Sequence, residues 1–246
     1  MRKKILGVPV DKVDFKTALN KIEELIKNGK SHQIATVNPE FIIAAQKNEK
    51  FKRVLNNSSL NTPDGRGIIW AMKFLHGIKL KERVTGIDLF WALCKLSEDR
   101  GYRIFMLGGR PGVVKEAAER VEMIHPRAKI CYIYPGSIKE TKKIRRLINH
   151  THPNILFVAW GSPKQEIWIR KNLKKIRSSL VAIGVGGTFD FVAGTRARAP
   201  KWMQRIGLEW LYRLIQEPRR FGRIWIAVVK FPIAVIKSKI IKKFKR

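Results

Sequence analysis

From Tyr102 onward the chain keeps a regular rhythm. Solid apolar runs at Arg103–Leu107, Lys129–Tyr134, Ile155–Ala159 and Leu180–Val185 alternate with segments near Gly112–Met123, Lys139–Ile148 and Lys164–Leu173 that have helical periodicity. Continuous apolar runs of this kind predict strands buried on both faces, and their alternation with helices predicts a parallel sheet. Upstream, Ile5–Val10 reads as a short strand, and Phe15–Lys27 as an amphipathic helix with Ala18, Ile22, Leu25 and Ile26 on one face. His32–Val37 reads as a strand that stops at Asn38-Pro39, before helices over Glu40–Lys47 and Lys50–Leu55. Ser59–Asn61 is a short extended piece, and Gly67–Leu75 and Gly86–Glu98 read as helices. The expected fold class is α/β: a Rossmann-like parallel sheet with helices on both faces, plus a C-terminal helical appendage. The expected division is a core over 1–194 and a basic amphipathic appendage over 195–246, with a hinge around Ala193–Pro200.

In open parallel sheets, ligands bind beyond the carboxyl ends of the strands. Here those ends carry Leu107-Gly108-Gly109-Arg110, Tyr134-Pro135-Gly136, Trp160-Gly161-Ser162-Pro163 and Gly184-Val185-Gly186-Gly187-Thr188. The first could offer backbone N–H groups to a phosphate, but it lacks the full dinucleotide fingerprint. Pro163 suits a first helical position, and Lys164 and Gln165 then sit where simple capping would favour an acid. A cation and an amide at that place suggest a ligand. Thr62-Pro63-Asp64-Gly65-Arg66-Gly67 sets one carboxylate in a tight turn at a helix start. Asp64 could be a turn or capping residue, or a general base on a rigid turn. Thr36 and Asn38 share one side of an extended chain and offer either a helix cap or a hydrogen-bonding platform. Arg83, Arg213, Arg219, Arg220 and Arg223 are either solvated charges or diphosphate contacts. No Asp-x-Asp, GxSxG, Walker or HExxH pattern occurs. Leaving-group charge would therefore fall to arginines and helix N-termini, and neither a metal nor a cofactor is expected.

Charge narrows the partners. The net charge of +32 favours polyanions, whether nucleic acid, anionic lipid or phosphorylated substrates. From Lys201 to Arg246 there are 13 Lys/Arg against two Asp/Glu, so the last fifth of the chain carries about a third of the excess. In this tail Ile233, Ile236, Ile240 and Phe244 share one helical face, while Lys237, Lys239, Lys242, Lys243, Lys245 and Arg246 crowd the remainder. Trp210, Tyr212 and Trp225 suit a membrane–water boundary. The tail is expected to lie on an anionic membrane surface, and the bland alternative is a helix packed on the core with a solvated basic face. No apolar run approaches the ~20 residues that span a bilayer, and the N-terminus lacks a signal peptide's apolar stretch. Cys94 and Cys131 lie far apart without metal-ligand spacing, which suits a reducing compartment. A basic nucleic-acid-binding protein and a Rossmann-type oxidoreductase are the competing classes. No nucleic-acid module is recognisable and the glycine fingerprint is missing, so nucleic acid is not an expected partner.

The motifs in their order resemble the WecG/TagA/CpsF family of bacterial glycosyltransferases. The matching stretches are ATVNPE at 35–40, TPDGRG at 62–67, ERVTGID at 82–88, LGG at 107–109, GSPKQEIW at 161–168, GVGGTFD at 184–190 and RAPKWMQRIGLEWLYRLIQEPRRFGR at 198–223. GSPKQE together with GLEWLYRL…EP is the most specific part. The resemblance implies an inverting, metal-independent transfer from a UDP-sugar donor to an undecaprenyl-diphosphate-linked acceptor, on the cytoplasmic face of the membrane. N-acetylmannosamine moving to lipid-linked N-acetylglucosamine is the leading pair, with another hexose or a uronic acid for capsule or exopolysaccharide as the alternative. It also implies roles. Asp64 matches the general base, with Thr36 and Asn38 beside it, and Arg83 lies near the leaving diphosphate. Gln165 belongs to the donor pocket, and Gly108, Gly186 and Asp190 fall in the matching glycine turns and are expected to bind substrate. Arg213, Arg220 and Arg223 match arginines of an appendage that closes the site at the membrane. Arg66 adds a cation beside the base, where it could lower the base's pKa or bind an acidic donor. A core with its appendage undocked would expose apolar surface and could form a homo-oligomer.

Overall fold

The computed structural model describes residues 1–244; the side chains at 201, 205 and 242–244 lie outside that description. Its centre is a six-stranded parallel sheet of β3 (His32–Val37), β4 (Leu60–Pro63), β5 (Arg103–Gly108), β6 (Lys129–Tyr134), β7 (Ile155–Ala159) and β8 (Val181–Gly184), in the order β4-β3-β8-β7-β5-β6. The central strands alternate between two apolar faces, as a period of two requires. Ile34, Met106, Phe157 and Ile183 face a core built with α1 (Phe15–Lys27), α5 (Gly86–Arg100) and α6 (Val113–Ile124). Phe105, Leu107, Val158 and Ala182 face the opposite way, toward α7 (Thr141–Thr151) and α8 (Lys164–Leu173). The expected α/β fold with helices on both sheet faces is the one observed.

The predicted strand over Ile5–Val10 is instead two. β1 (Arg2–Ile5) and β2 (Val8–Asp11) form an antiparallel hairpin, because Leu6 and Gly7 both take positive φ and reverse the chain. This hairpin packs with α2 (Pro39–Lys47), α3 (Glu49–Asn56) and α4 (Arg66–His76) around a separate apolar cluster that holds Ile5, Val8, Phe51, Ile68 and Met72.

After β8 come α9 (Thr188–Val192), α10 (Lys201–Ile206), α11 (Glu209–Gln216), α12 (Phe221–Trp225), a π-helical turn over Ile226–Lys230, and α13 (Phe231–Phe244). The expectation for α13 needs correction on one face. Phe231 and Val235 are fully buried in the hairpin–α2–α4 cluster, and Lys239 Nζ donates to Phe74 O at 2.7 Å and sits 4.2 Å over its ring. The sequence reading found the outer apolar face and missed this inner one. Ile233, Ile236 and Ile240 remain exposed, as do Trp202, Phe221 and Trp225. Lys245 and Arg246, also named for the tail, lie outside the described residues, as do the side chains of Lys242, Lys243 and Phe244. Among the described residues no helix is long and apolar enough to cross a membrane. The segment expected to act as a hinge is pinned by Arg198, which grips Asp88 with Nη1–Oδ1 at 2.7 Å and Nη2–Oδ2 at 3.2 Å. Arg196 pairs with Glu217 at 2.8 Å in the same stretch.

Candidate active site

The carboxyl ends of β4, β3, β8 and β7 open into a cavity of about 350 Å³, roofed by residues of α11, α12 and the π-helical turn. Asp64 lies at its base, and backbone pairing explains why. Its N–H donates to Val37 O at 2.8 Å, which continues the β3–β4 register by one residue past the strand. Gly65 then takes φ 97°, open to glycine, and starts α4 without a side-chain cap. Asp64 is therefore not the N-cap of that helix, and its carboxylate is left to face the cavity. On the other side of the turn, Val84 N–H donates to Pro63 O at 2.8 Å and Thr62 Oγ1 donates to Val84 O at 3.2 Å. These bonds lay the Glu82–Asp88 segment along the end of β4, so Arg83 also lines the cavity.

Burial pushes the Asp64 carboxyl up to about 7. The Arg213 and Arg83 guanidiniums pull against that rise, and the Glu209 and Asp88 carboxylates add to it. Of the two readings of Arg66, a lowered pKa for this base or contact with an acidic donor, the net upward shift does not match the first; Arg66 is exposed, lies against Gly207 and borders the cavity. A carboxyl that titrates near neutrality can take a proton from a hydroxyl and remain ionised in a useful fraction of molecules.

Thr36 and Asn38 line the same wall. Asn38 serves twice: its Oδ1 accepts from Phe41 N at 2.9 Å as the cap of α2, and the residue borders the cavity. Gln165 is buried between two glycine turns. Its Oε1 accepts from Gly161 N at 2.9 Å and from Gly186 N at 3.2 Å, while Nε2 donates to Glu166 Oε1 at 2.6 Å. The side chain thus stitches the β7–α8 loop to the β8–α9 loop. Gly184 must lack a side chain here, since a Cβ would come within 2.5 Å of Gln165 Nε2 and 2.6 Å of Glu166 Oε1. Burial also pushes Glu166 up to about 7, but this residue lies behind Gln165 and does not line the cavity.

The arginines converge. Arg83, Arg213, Arg220 and Arg223 all line the cavity together with Asp64. Arg83 Nη1 donates to Glu209 Oε2 at 2.5 Å, Arg213 Nη2 donates to Glu209 Oε1 at 2.9 Å, and the Arg213 guanidinium stacks 5.0 Å from the Phe191 ring centre. Arg220 pairs with Glu217, and Arg223 Nε donates to Glu40 Oε2 at 2.6 Å. Burial and the neighbouring Arg223, Arg213 and Arg196 pull Arg220 down to about 10. It stays cationic at neutral pH, and an anion in the cavity would relieve this crowding. Arg213 Nε is buried with no partner among the described residues.

Several sequence-predicted residues lie elsewhere. Gly108 ends β5 and abuts Trp160, outside the cavity lining. Asp190 also lies outside, paired to Arg110 at 2.7 Å and to Arg196 at 3.7 Å. Lys164 is exposed and off the cavity, and Pro163 caps α8 rather than opening it. Arg219 is likewise exposed. Trp210, expected at a membrane boundary, lines the cavity, and Tyr212 is half-buried. Sequence reasoning assigned no role to Glu209, Glu166, Asp88 or Arg198. Each sits inside a matching motif, but partners such as Arg83 for Glu209 and Asp88 for Arg198 lie far off in the chain and leave no periodic or spacing signal.

The chain matches the family model described as "Glycosyl transferase WecG/TagA/CpsF family" over residues 3–245. It is 35% identical over 210 residues to the N-acetylglucosaminyldiphosphoundecaprenol N-acetyl-beta-D-mannosaminyltransferase of Bacillus subtilis (strain 168), covering 85% of this chain and 81% of that protein. The enzyme of the same name from Bacillus spizizenii is 34% identical, with 83% and 78% covered. That of Staphylococcus aureus (strain MW2) is 29% identical over 243 residues, with 97% and 94% covered. With the family model spanning nearly the whole chain and such relatives covering most of it, this protein belongs to the WecG/TagA/CpsF family of glycosyltransferases.

Proposed function

We propose that this glycosyltransferase moves N-acetylmannosamine from a UDP-sugar to undecaprenyl-diphosphate-linked N-acetylglucosamine, with inversion and without a metal, to build the linkage unit of a wall teichoic acid. The observation that carries this reading is one cavity holding Asp64, with its carboxyl raised to about 7, beneath four arginines. Asp64 takes the proton of the acceptor hydroxyl. The freed oxygen attacks the anomeric carbon from the face opposite the diphosphate, and UDP leaves. Arg83 and Arg213 meet the charge that grows on the leaving diphosphate, and Arg213 Nε supplies a buried donor that still needs an acceptor. Arg220 and Arg223 serve the diphosphates from the roof of the cavity. Thr36 and Asn38 orient the acceptor sugar, and Gln165 and Gly186 shape the donor pocket.

In this reading residues 1–194 are the catalytic core and 195–246 the appendage that closes it at the membrane. The exposed Trp202, Phe221, Trp225, Ile233, Ile236 and Ile240 enter the cytoplasmic face of the bilayer, and the surrounding cations meet anionic lipid. A lipid-borne acceptor and a site roofed by membrane-facing helices belong together, because the acceptor's diphosphate sits at the bilayer surface. The test is a donor screen: several UDP-sugars are offered with lipid-linked N-acetylglucosamine, and products are identified by mass. UDP-N-acetylmannosamine should give the lipid-linked disaccharide. Product from another UDP-sugar alone would replace the proposed donor, and no product from any would remove the reading.

A further inference from the structure

We propose that Glu209 is a positioning residue of this active site: by holding Arg83 of the α4–α5 connection and Arg213 of α11 at once, it fixes the two guanidiniums in register over Asp64 and keeps the C-terminal helices closed on the cavity. The inference rests on the reading that Asp64 and these arginines form the transferase site.

The bland alternative is an ordinary acidic residue in the first turn of α11, placed there by the helix dipole. The geometry argues against it. The carboxylate makes no cap bond to its own helix; one oxygen takes Arg83 Nη1 at 2.5 Å and the other takes Arg213 Nη2 at 2.9 Å. Its side chain is only 12% exposed, and that of Arg83 19%, so water screens the bridge weakly. The second terminal nitrogen of Arg83 donates to Gln204 Oε1 at 3.1 Å, and Gln204 Nε2 donates in turn to Ala199 O at 2.7 Å. Arg83 is thus held by α10 and α11 together, and Arg213 is sandwiched between Glu209 and the Phe191 ring. Removing the carboxylate would leave two half-buried cations without the anion they share.

Glu209 also lines the cavity, with the carboxylates of Asp64 and Glu40. The charged groups facing Asp64 are Arg213 and Glu209 of α11, Arg83, Asp88 at the start of α5, and Arg198 of the segment before α10. Arg66 on the same turn, Glu40 of α2, and Arg220 and Arg223 of the roof border the same space. The arginines outnumber the acids, and Glu209 pushes the Asp64 carboxyl upward. Without its charge Asp64 would ionise at lower pH.

The test uses the full-length protein with Glu209→Gln, which keeps size and loses charge, and Glu209→Asp, which keeps charge. Two measurements are made: the pH dependence of kcat/KM with separate kcat and KM values, and hydrogen exchange of the α11 amides without substrate. In the Gln variant the acid limb should move down by roughly one pH unit. Its kcat should fall about 10²-fold through misplaced guanidiniums. Its α11 amides should exchange faster. The Asp variant should keep the acid limb at its wild-type position. A Gln variant with a wild-type acid limb and wild-type exchange would overturn the proposal, as would an Asp variant whose limb moves as far as that of Gln. The exchange measurement needs no substrate, so a wild-type protein that transfers no sugar would sink the proposed function while the clamp is still decided.

Discussion

If Asp64 is the base, the rate must follow its ionisation, and the structure sets where. With the carboxyl at about 7, roughly one molecule in eleven carries it ionised at pH 6 and about ten in eleven at pH 8. The kcat/KM for sugar transfer should therefore fall about tenfold from pH 8 to pH 6, with a limb of slope one. A carboxyl at its ordinary value of 3.8 would be ionised throughout and give a flat profile. Both substrate diphosphates are diesters, so neither gains or loses a proton in this window. One other carboxyl needs a control, because burial pushes Glu166 up to about 7 as well. The assay is initial rate against pH with a water-soluble polyprenyl acceptor, for wild type, Asp64→Asn and Glu166→Gln. Asp64→Asn should keep only a low, pH-independent rate, and Glu166→Gln should keep the limb. A flat wild-type profile, or a limb that vanishes in Glu166→Gln and survives in Asp64→Asn, would refute the reasoning.

Three further outcomes follow. The folded Asp64 holds its proton to higher pH than the unfolded chain, so the wild type loses stability as pH rises from about 4 through about 7. Asp64→Asn should thus melt higher than wild type at pH 8, by roughly 2–4 °C for each kcal/mol relieved, and the gap should close toward pH 4; a variant that melts lower at pH 8 would contradict this. Gly184→Ala forces a methyl between Gln165 and Glu166 and should cost about 1–3 kcal/mol in denaturant unfolding; an unchanged midpoint would show that the two side chains yield freely. The pair Phe221→Ser and Trp225→Ser, both exposed, should lower flotation with anionic vesicles at least about tenfold and leave the melting temperature unchanged. Surface changes suit this test better than deleting α13, which would strip Phe231 and Val235 from a buried cluster.

The sheet was legible because its central strands are buried on both faces and so are apolar without interruption, as at Ile155–Ala159 and Val181–Gly184. The site's spine was legible for a related reason. Thr36, Asn38 and Asp64 sit at strand ends, where polar residues and glycine break an apolar run. The N-terminal hairpin was hidden, since Leu6 and Gly7 give no polar punctuation between two apolar strands. The inner face of α13 was hidden too: Phe231 and Val235 lie four apart, but lysines and isoleucines on the rest of the helix mask that stripe. Pairings such as Glu209 with Arg83 and Arg198 with Asp88 join residues more than a hundred positions apart, and local pattern carries no trace of them.

The central claim is that Asp64, closed beneath the C-terminal arginines, takes the acceptor's proton. It is tested most directly by Asp64→Asn at pH 8 with saturating UDP-N-acetylmannosamine and lipid-linked N-acetylglucosamine, with single-turnover product measured by mass and UDP binding measured alongside. The account predicts UDP affinity close to that of wild type and transfer slowed by about 10²–10⁴. Transfer at the wild-type rate would contradict it.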